Sequence, residues 1–300
     1  MSATSPPGRQ SVGFVGLGAM GSPMSRHLLE AGWAVVGHDP SPDAAARHRG
    51  HGGEVVDDVA RLRGRVDVVV TSLPTASALF ATLDRWVGAD SDADLVVVEA
   101  STLTLAEKQA ARELAEGAGL TLLDAPVSGT SAQAERGDLI IYLSGADAPA
   151  LERVAPVLGD MTRQIHDLGE FGNGTRLKLV ANLLVAVHNL STAEALLLAD
   201  RAGLDLEQAL PALVDGAGSS RMLEVRGPLM LTGDYEPATA RVEMFRKDLR
   251  AIRELADDLA TPTPLLAVTS ALYDAAAGQG RSDQDTAAIY ATLRRLAGLD

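Results

Sequence analysis

The stretch TRLKLVANLL, residues 175–184, sets an ammonium and an amide into an apolar run. Lys178 and Asn182 are four apart, so on a helix they share a face, one turn from each other. Leu177, Leu179, Val180, Ala181, Leu183, Leu184 and Val185 surround them, and a helix that is apolar all round is a buried one. Burial penalises an ammonium and lowers its pKa, which suits a general acid/base working near neutral pH. In that setting Lys178 exchanges a proton with a substrate hydroxyl, and Asn182 hydrogen-bonds substrate oxygens beside it. The same pattern also fits a lysine that snorkels to the helix edge and an asparagine in a structural bond.

A second chemically pointed segment is DAPVSGTSAQAERGD, 124–138. A strand ends at Asp124–Pro126, and Ser128, Gly129, Thr130 and Ser131 precede an Ala-rich helical turn. Hydroxyls and backbone N–H groups at a helix start make a site for a small anion. A substrate carboxylate fits there, held by the Ser128 hydroxyl and the amides of Gly129 and Thr130. Capping of a helix over 131–136 by Ser128 or Thr130 uses the same groups.

Residues 16–21 read Gly16-Leu17-Gly18-Ala19-Met20-Gly21, after an apolar strand and at the opening of a helix over 19–31. Gly16 allows a tight turn, Gly18 lets backbone approach a pyrophosphate, and Gly21 lets helix pack close to strand. The helix start supplies N–H groups and positive dipole for the phosphates. About 20 residues on stands Asp39, where a carboxylate accepts both adenosine ribose hydroxyls and repels a 2′-phosphate. The expected cofactor is therefore NAD over NADP. Asp39 also suits a turn begun before Pro40. Two further loops, Leu73-Pro74 and Ser101-Thr102, leave strand ends on the expected ligand side, although strand-ending and N-capping account for them equally.

The elements that must position these residues follow two rhythms. Strand candidates lie at 12–16, 34–39, 66–73, 94–101, 120–126, 139–145 and near 163–169, with helices at 19–31, 75–87, 104–117 and 147–158. Apolar strands alternating with helices predict a doubly wound parallel sheet covered on both faces. From 174 the pattern is helical throughout: 174–202, 206–216, 219–230, 240–260, 262–279 and 284–297. The expected division is a flexible 1–10, a dinucleotide-binding Rossmann-type domain over 11–171, and an all-α domain for substrate binding and dimerisation over 172–300.

The chain has 300 residues, 46% hydrophobic and only 3% aromatic, so its core is mostly Ala, Leu and Val. A net charge of -14 argues against nucleic acid and anionic membrane as partners. The absence of cysteine excludes disulfides, a thiol nucleophile and thiolate metal sites. The N-terminus is polar with no apolar signal core, and no run reads as a membrane span, so a cytoplasmic location is expected. His48 and His51 fall at a surface helix end without a suitable carboxylate, and no metal site is expected; His188 has no assigned role.

GLGAMG with Asp39, DAPVSG, GNGTRLKLVAN and the later KDL (247–249) together resemble the β-hydroxyacid dehydrogenase family, in the family's order and over nearly the whole chain. The resemblance implies a Rossmann-type domain followed by an all-α domain, with an active site in the cleft between them. It implies hydride transfer between a nicotinamide and a small 3-hydroxy acid or its semialdehyde, with Lys178 as the catalytic lysine. It also implies substrate binding by Ser128, Gly129 and Asn182, and places Lys247 near nicotinamide and substrate. Asp283 matches a family aspartate and reads as structural, since Asp283 or Asp285 can cap the last helix. Many members carry a second glycine where this chain has Thr130, so the group beyond the carboxylate differs here. Arg221 falls where members line the substrate pocket, yet it can equally pair with Glu224 on an exposed face. An imine reductase on the same fold is a rival reading, which Lys178 disfavours; a non-catalytic dinucleotide-binding protein is another. The helical half and its long apolar helix predict a homodimer or homotetramer.

Overall fold

Val-rich runs become the strands β1 (Ser11–Val15), β2 (Ala34–His38), β3 (Glu54–Val55), β4 (Val68–Thr71), β5 (Val96–Glu99) and β6 (Thr121–Asp124) of a computed structural model that describes residues 11–87 and 94–299. The expected flexible segment 1–10 lies outside the described residues. All six strands pair parallel, in the order β3-β2-β1-β4-β5-β6. The chain thus crosses from one side of β1 to the other between β3 and β4, which opens the crevice where such sheets bind ligands.

Helices α1 (Gly21–Glu30), α2 (Pro42–Gly50), α3 (Ala76–Val87) and α4 (Leu105–Gly117) are the crossovers of this sheet. Val12, Phe14, Val70 and Val98 point into one apolar cluster, Val15, Val69 and Val97 into the other. Both sheet faces are therefore covered, and β4 and β5 are buried at every residue. That is why these strands read as unbroken apolar runs.

The chain then departs from the single expected sheet. After Pro126 it turns into β7 (Val127–Ser128), followed by α5 (Ser131–Glu135), β8 (Ile140–Leu143), α6 (Ala148–Met161) and β9 (Gln164–Asp167). These strands form a separate sheet, β7-β8-β9, antiparallel in its first pair and parallel in its second. The runs at 139–145 and 163–169 belong here, because β8 pairs with β7 and β9, and just beyond it Ser144 forms an isolated antiparallel bridge to Asp124 of the first sheet.

From α7 (Asn173–Arg201) onward the chain is helical: α8 (Leu206–Asp215), α9 (Arg221–Thr232), α10 (Val242–Asp258), α11 (Pro264–Gly278) and α12 (Ile289–Leu296). A Rossmann-type sheet unit followed by an all-α unit is thus the architecture. The chain divides into two compact units at Lys178/Leu179, a few residues into α7. The reason is local: the first turn of α7 is bonded to the sheets, Thr175 N–H to Asp124 at 2.7 Å and Gly174 N–H to the Ser144 hydroxyl at 3.0 Å.

In the second unit Leu179, Ala186, Leu190, Ala193 and Leu196 of α7 pack with Phe245, Leu249, Ile252 and Tyr273. α7 is not buried all round, however, since Leu177, Val180, Leu184 and Leu198 are exposed. By length and composition it is apolar enough to cross a membrane, as a core helix can be, and its inner face packs into the helical core. The unit also buries a polar knot. Asp285 accepts the amides of Thr239, Ala240 and Ala287 and pairs with Arg226 at 3.3 Å. Asn189 of α7 donates to the Tyr273 hydroxyl at 2.7 Å, and burial pushes that phenol up to about 12. Asp285 is therefore the structural carboxylate here, while Asp283 is exposed beside Arg241.

Candidate active site

The glycine turn follows β1, and its three glycines have different causes. Gly16 has φ +90°, and a Cβ there would lie 2.2 Å from the Ser72 carbonyl oxygen. A Cβ on Gly21 would lie 1.8 Å from the Gly16 oxygen. Both glycines are thus demanded by the protein's own backbone. Gly18 is not: a Cβ there meets nothing within 4 Å, so the space beside it is open. The start of α1, after Leu17, Ala19 and Met20, has no side-chain cap, and its dipole makes that end of the helix positive.

Asp39 closes the same turn. One carboxylate oxygen accepts the Leu17 N–H at 2.7 Å and the other accepts the Ser41 N–H at 2.8 Å. The carboxylate is therefore both a turn initiator and a brace for the glycine loop. These groups fit a dinucleotide: an open glycine and helix start for the pyrophosphate, and a carboxylate beside them for a ribose diol.

The other two loops are linked. Leu73 donates its N–H to the Ser101 hydroxyl at 2.8 Å, and Ser101 N–H bonds to Glu99 at 3.1 Å. Pro74 is exposed and Thr102 half-buried on the same loops.

Glu99 leads to a group the sequence reading did not single out. Thr71, Glu99 and Asp124 end three adjacent strands in register. Between the two carboxylates lies Lys108 of α4, and all three charged side chains are 0% exposed. Lys108 Nζ bonds to a Glu99 carboxylate oxygen and lies 3.1 Å from Asp124 Oδ1. Burial pulls the Lys108 ammonium down, but Glu99 and Asp124 outweigh it and hold its pKa above the ordinary lysine value. The available signal was spacing: Lys108, Ala111 and Ala115 recur on the inner face of α4.

In the anion turn Ser128 is half-buried at the end of β7, and Gly129 has φ +145° with Leu139 where a Cβ would be. Thr130 is the N-cap of α5 in a reciprocal capping box: its hydroxyl accepts the Gln133 N–H at 3.4 Å, and its own N–H goes to Gln133 Oε1 at 3.0 Å. The Thr130 amide expected to hold a carboxylate is therefore engaged with Gln133. Arg221 pairs with Glu224 at 2.7 Å on an exposed face.

Lys178 and Asn182 lie one turn apart on α7, 9% and 5% exposed. In the second unit Asn182 Nδ2 donates to Asp248 at 3.0 Å, which fixes the orientation of the amide. Lys247 is half-buried, with its ammonium 4.0 Å from Asp248. Sequence reasoning missed Asp248, whose signal was its place beside Lys247 in KDL. It also misplaced His48, which is 1% exposed rather than at the surface. Gly37 and Gly53 make room for its ring, Ser25 lies 3.3 Å from Nδ1, and burial lowers its pKa.

Comparison with known proteins gives these features a context. Residues 11–169 match the NAD binding domain of 6-phosphogluconate dehydrogenase. Residues 172–293 match the family described as NAD-binding of NADP-dependent 3-hydroxyisobutyrate dehydrogenase. An L-threonate dehydrogenase of Cupriavidus necator is 34% identical over 284 residues, 93% of this chain and 95% of that one. The crystal structure of 3-hydroxyisobutyrate dehydrogenase from Salmonella typhimurium superposes with TM-score 0.84 at 30% identity, covering 94% of this chain and 99% of that one. A Mycobacterium tuberculosis 3-hydroxyisobutyrate dehydrogenase solved with L-serine gives TM-score 0.86 at 29% identity, covering 95% and 99%. The sheet order, the open glycine turn and these matches across both units agree: the chain belongs to the β-hydroxyacid dehydrogenase family.

Proposed function

We propose that the protein is a NAD-dependent dehydrogenase of small 3-hydroxy acids, or a reductase of the matching semialdehydes, with Lys178 as general acid/base. The observation that carries this reading is a buried lysine one turn from an asparagine whose amide is oriented by Asp248. Nicotinamide, when bound, supplies or accepts the hydride. Lys178 takes the proton from the substrate hydroxyl in oxidation and returns it to the oxygen in reduction. Asn182 holds substrate oxygens beside the amine, Ser128 and Gly129 receive the carboxylate, and Lys247 adds a positive charge near the reacting groups. The resemblance to L-threonate dehydrogenase favours a polyhydroxylated four-carbon acid. A cytoplasmic location belongs to the same reading.

NAD is favoured because Asp39 would face the 2′-phosphate of NADP. A repulsion of about 1.4 kcal/mol or more corresponds to tenfold or more in kcat/KM. The test is reduced-nicotinamide absorbance with NAD or NADP and a panel of threonate, 3-hydroxyisobutyrate, 3-hydroxypropionate, glycerate and serine. Turnover of at least one acid, faster with NAD, is expected. Silence across the panel with NAD bound, or equal use of NADP, would overturn the reading or its cofactor preference respectively.

The protein is further proposed to form a dimer or tetramer through its helical half. Leu177, Val180, Leu184 and Leu198 form an exposed apolar stripe along α7, and such a stripe on one helix is the kind of surface a second copy covers. Light scattering at micromolar concentration should report at least twice the monomer mass of 31.2 kDa; a monomer would sink the idea.

A further inference from the structure

The first turn of α7 is capped from outside its own sequence. Asp124, at the end of β6, accepts the Thr175 N–H at 2.7 Å with one oxygen and the Thr175 hydroxyl at 2.7 Å with the other. Ser144 donates to Asp124 at 3.1 Å and accepts the Gly174 N–H at 3.0 Å. Gly174 sits so close to the second sheet that a Cβ would lie 2.2 Å from the Tyr142 carbonyl oxygen. The helix start is thereby clamped to strand ends, and Lys178 follows Thr175 by three residues, about 4.5 Å along the axis.

The carboxylate that does the clamping is itself fixed by Lys108, and Lys108 by Glu99. Glu99 also accepts the Ser101 N–H, and Ser101 accepts the Leu73 N–H. One unbroken chain of hydrogen bonds and ion pairs therefore runs from the 73 and 101 loops to the helix of Lys178. Two anions and one cation buried together are a poor device for stability alone, since apolar replacements of similar shape often do as well. Ion pairs in a dry interior do impose direction and distance, and the positive end of α7 meets the cluster's excess negative charge.

We propose that Glu99, Lys108, Asp124 and Thr175 are positioning residues for Lys178, setting the ammonium's place relative to the loops expected to line the cofactor. The proposal rests on the reading of Lys178 as the proton-transferring group. The decisive variants are Thr175→Val, which keeps shape and N–H but removes the hydroxyl, and Thr175→Ser, which restores it. Thr175→Val should lower kcat about 10- to 100-fold, the scale of a misplacement near 1 Å. The dissociation constant for NAD should change less than twofold, and the solvent deuterium isotope effect on kcat should rise as proton transfer becomes limiting. Thr175→Ser should return both kcat and the isotope effect to the parent values.

A Thr175→Val enzyme with kcat within twofold of the parent overturns the proposal. So does a fall in kcat with an unchanged isotope effect, which marks a merely structural loss. Should Thr175→Val fail to fold, Ser144→Ala, which removes only the Gly174 acceptor and one donor to Asp124, carries the same readouts. Lys178→Ala separates the two levels. If it retains turnover, the reading of Lys178 falls and takes the proposal with it. If it abolishes turnover while Thr175→Val does not, only the positioning role falls.

Discussion

Lys178→Ala should lower kcat by about 10²- to 10⁴-fold, the range that a positioned proton donor or acceptor contributes. The dissociation constant for NAD should stay within about twofold of the parent, because the glycine turn, the uncapped start of α1 and Asp39 are all left intact. Lys178→Arg should be almost as inactive. A guanidinium keeps the charge but is not deprotonated in proteins, so it cannot accept the hydroxyl proton. Steady-state absorbance of reduced nicotinamide together with calorimetric titration of NAD checks both statements. Turnover that survives Lys178→Ala would return the residue to a structural lysine whose stem lies along apolar surface.

The second large effect concerns stability. Lys108→Met should cost about 3–5 kcal/mol, the usual result of removing one partner from a buried ionic group. Glu99 and Asp124 would then face each other fully buried with no cation between them. The urea midpoint should fall accordingly, and the triple variant Glu99→Gln, Lys108→Met, Asp124→Asn should recover much of the loss. A cost below 1 kcal/mol would mean that the cluster does not hold three charges. The sign with pH is also fixed. The Lys108 pKa is raised in the folded protein above the ordinary value of 10.5, so its stabilisation is complete below that value and is lost only as pH climbs through the folded one. The parent's Lys108 contribution should therefore be constant across neutral pH, whereas in Lys108→Met the two facing carboxylates shed their repulsion by protonation, so the variant's deficit should shrink as pH falls.

What could be read in the sequence was what is local. The glycine turn and Asp39 are legible because strand, turn, helix and acid follow at fixed spacings within one βαβ unit. The parallel strands are legible because burial on both faces makes them continuous apolar runs. β7 has two residues and β3 has two, too short for periodicity to register, so the separate second sheet stayed hidden. His48 looked like a surface residue because the glycines that admit its ring, Gly37 and Gly53, come from other segments. Asp248 meets Asn182 across 66 residues, and Glu99, Lys108 and Asp124 meet only when adjacent strand ends come into register. Thr130 could be read as either anion ligand or cap, since both use the same atoms; its reciprocal bonds with Gln133 show the cap.

The brace that Asp39 puts on the glycine loop also bears on how fast and how strongly a ligand is captured. With Leu17 N–H and Ser41 N–H both held by this carboxylate, the loop loses its conformational freedom during folding rather than at the moment of binding. Association is then relieved of an ordering entropy that a slack loop would impose. On the proposed reading the acid would meet a sugar from a position fixed by these two bonds. A shortened or neutral residue at 39 would therefore loosen the phosphate cradle as well as the ribose contact, and its thermodynamic signature would be a less favourable entropy of binding.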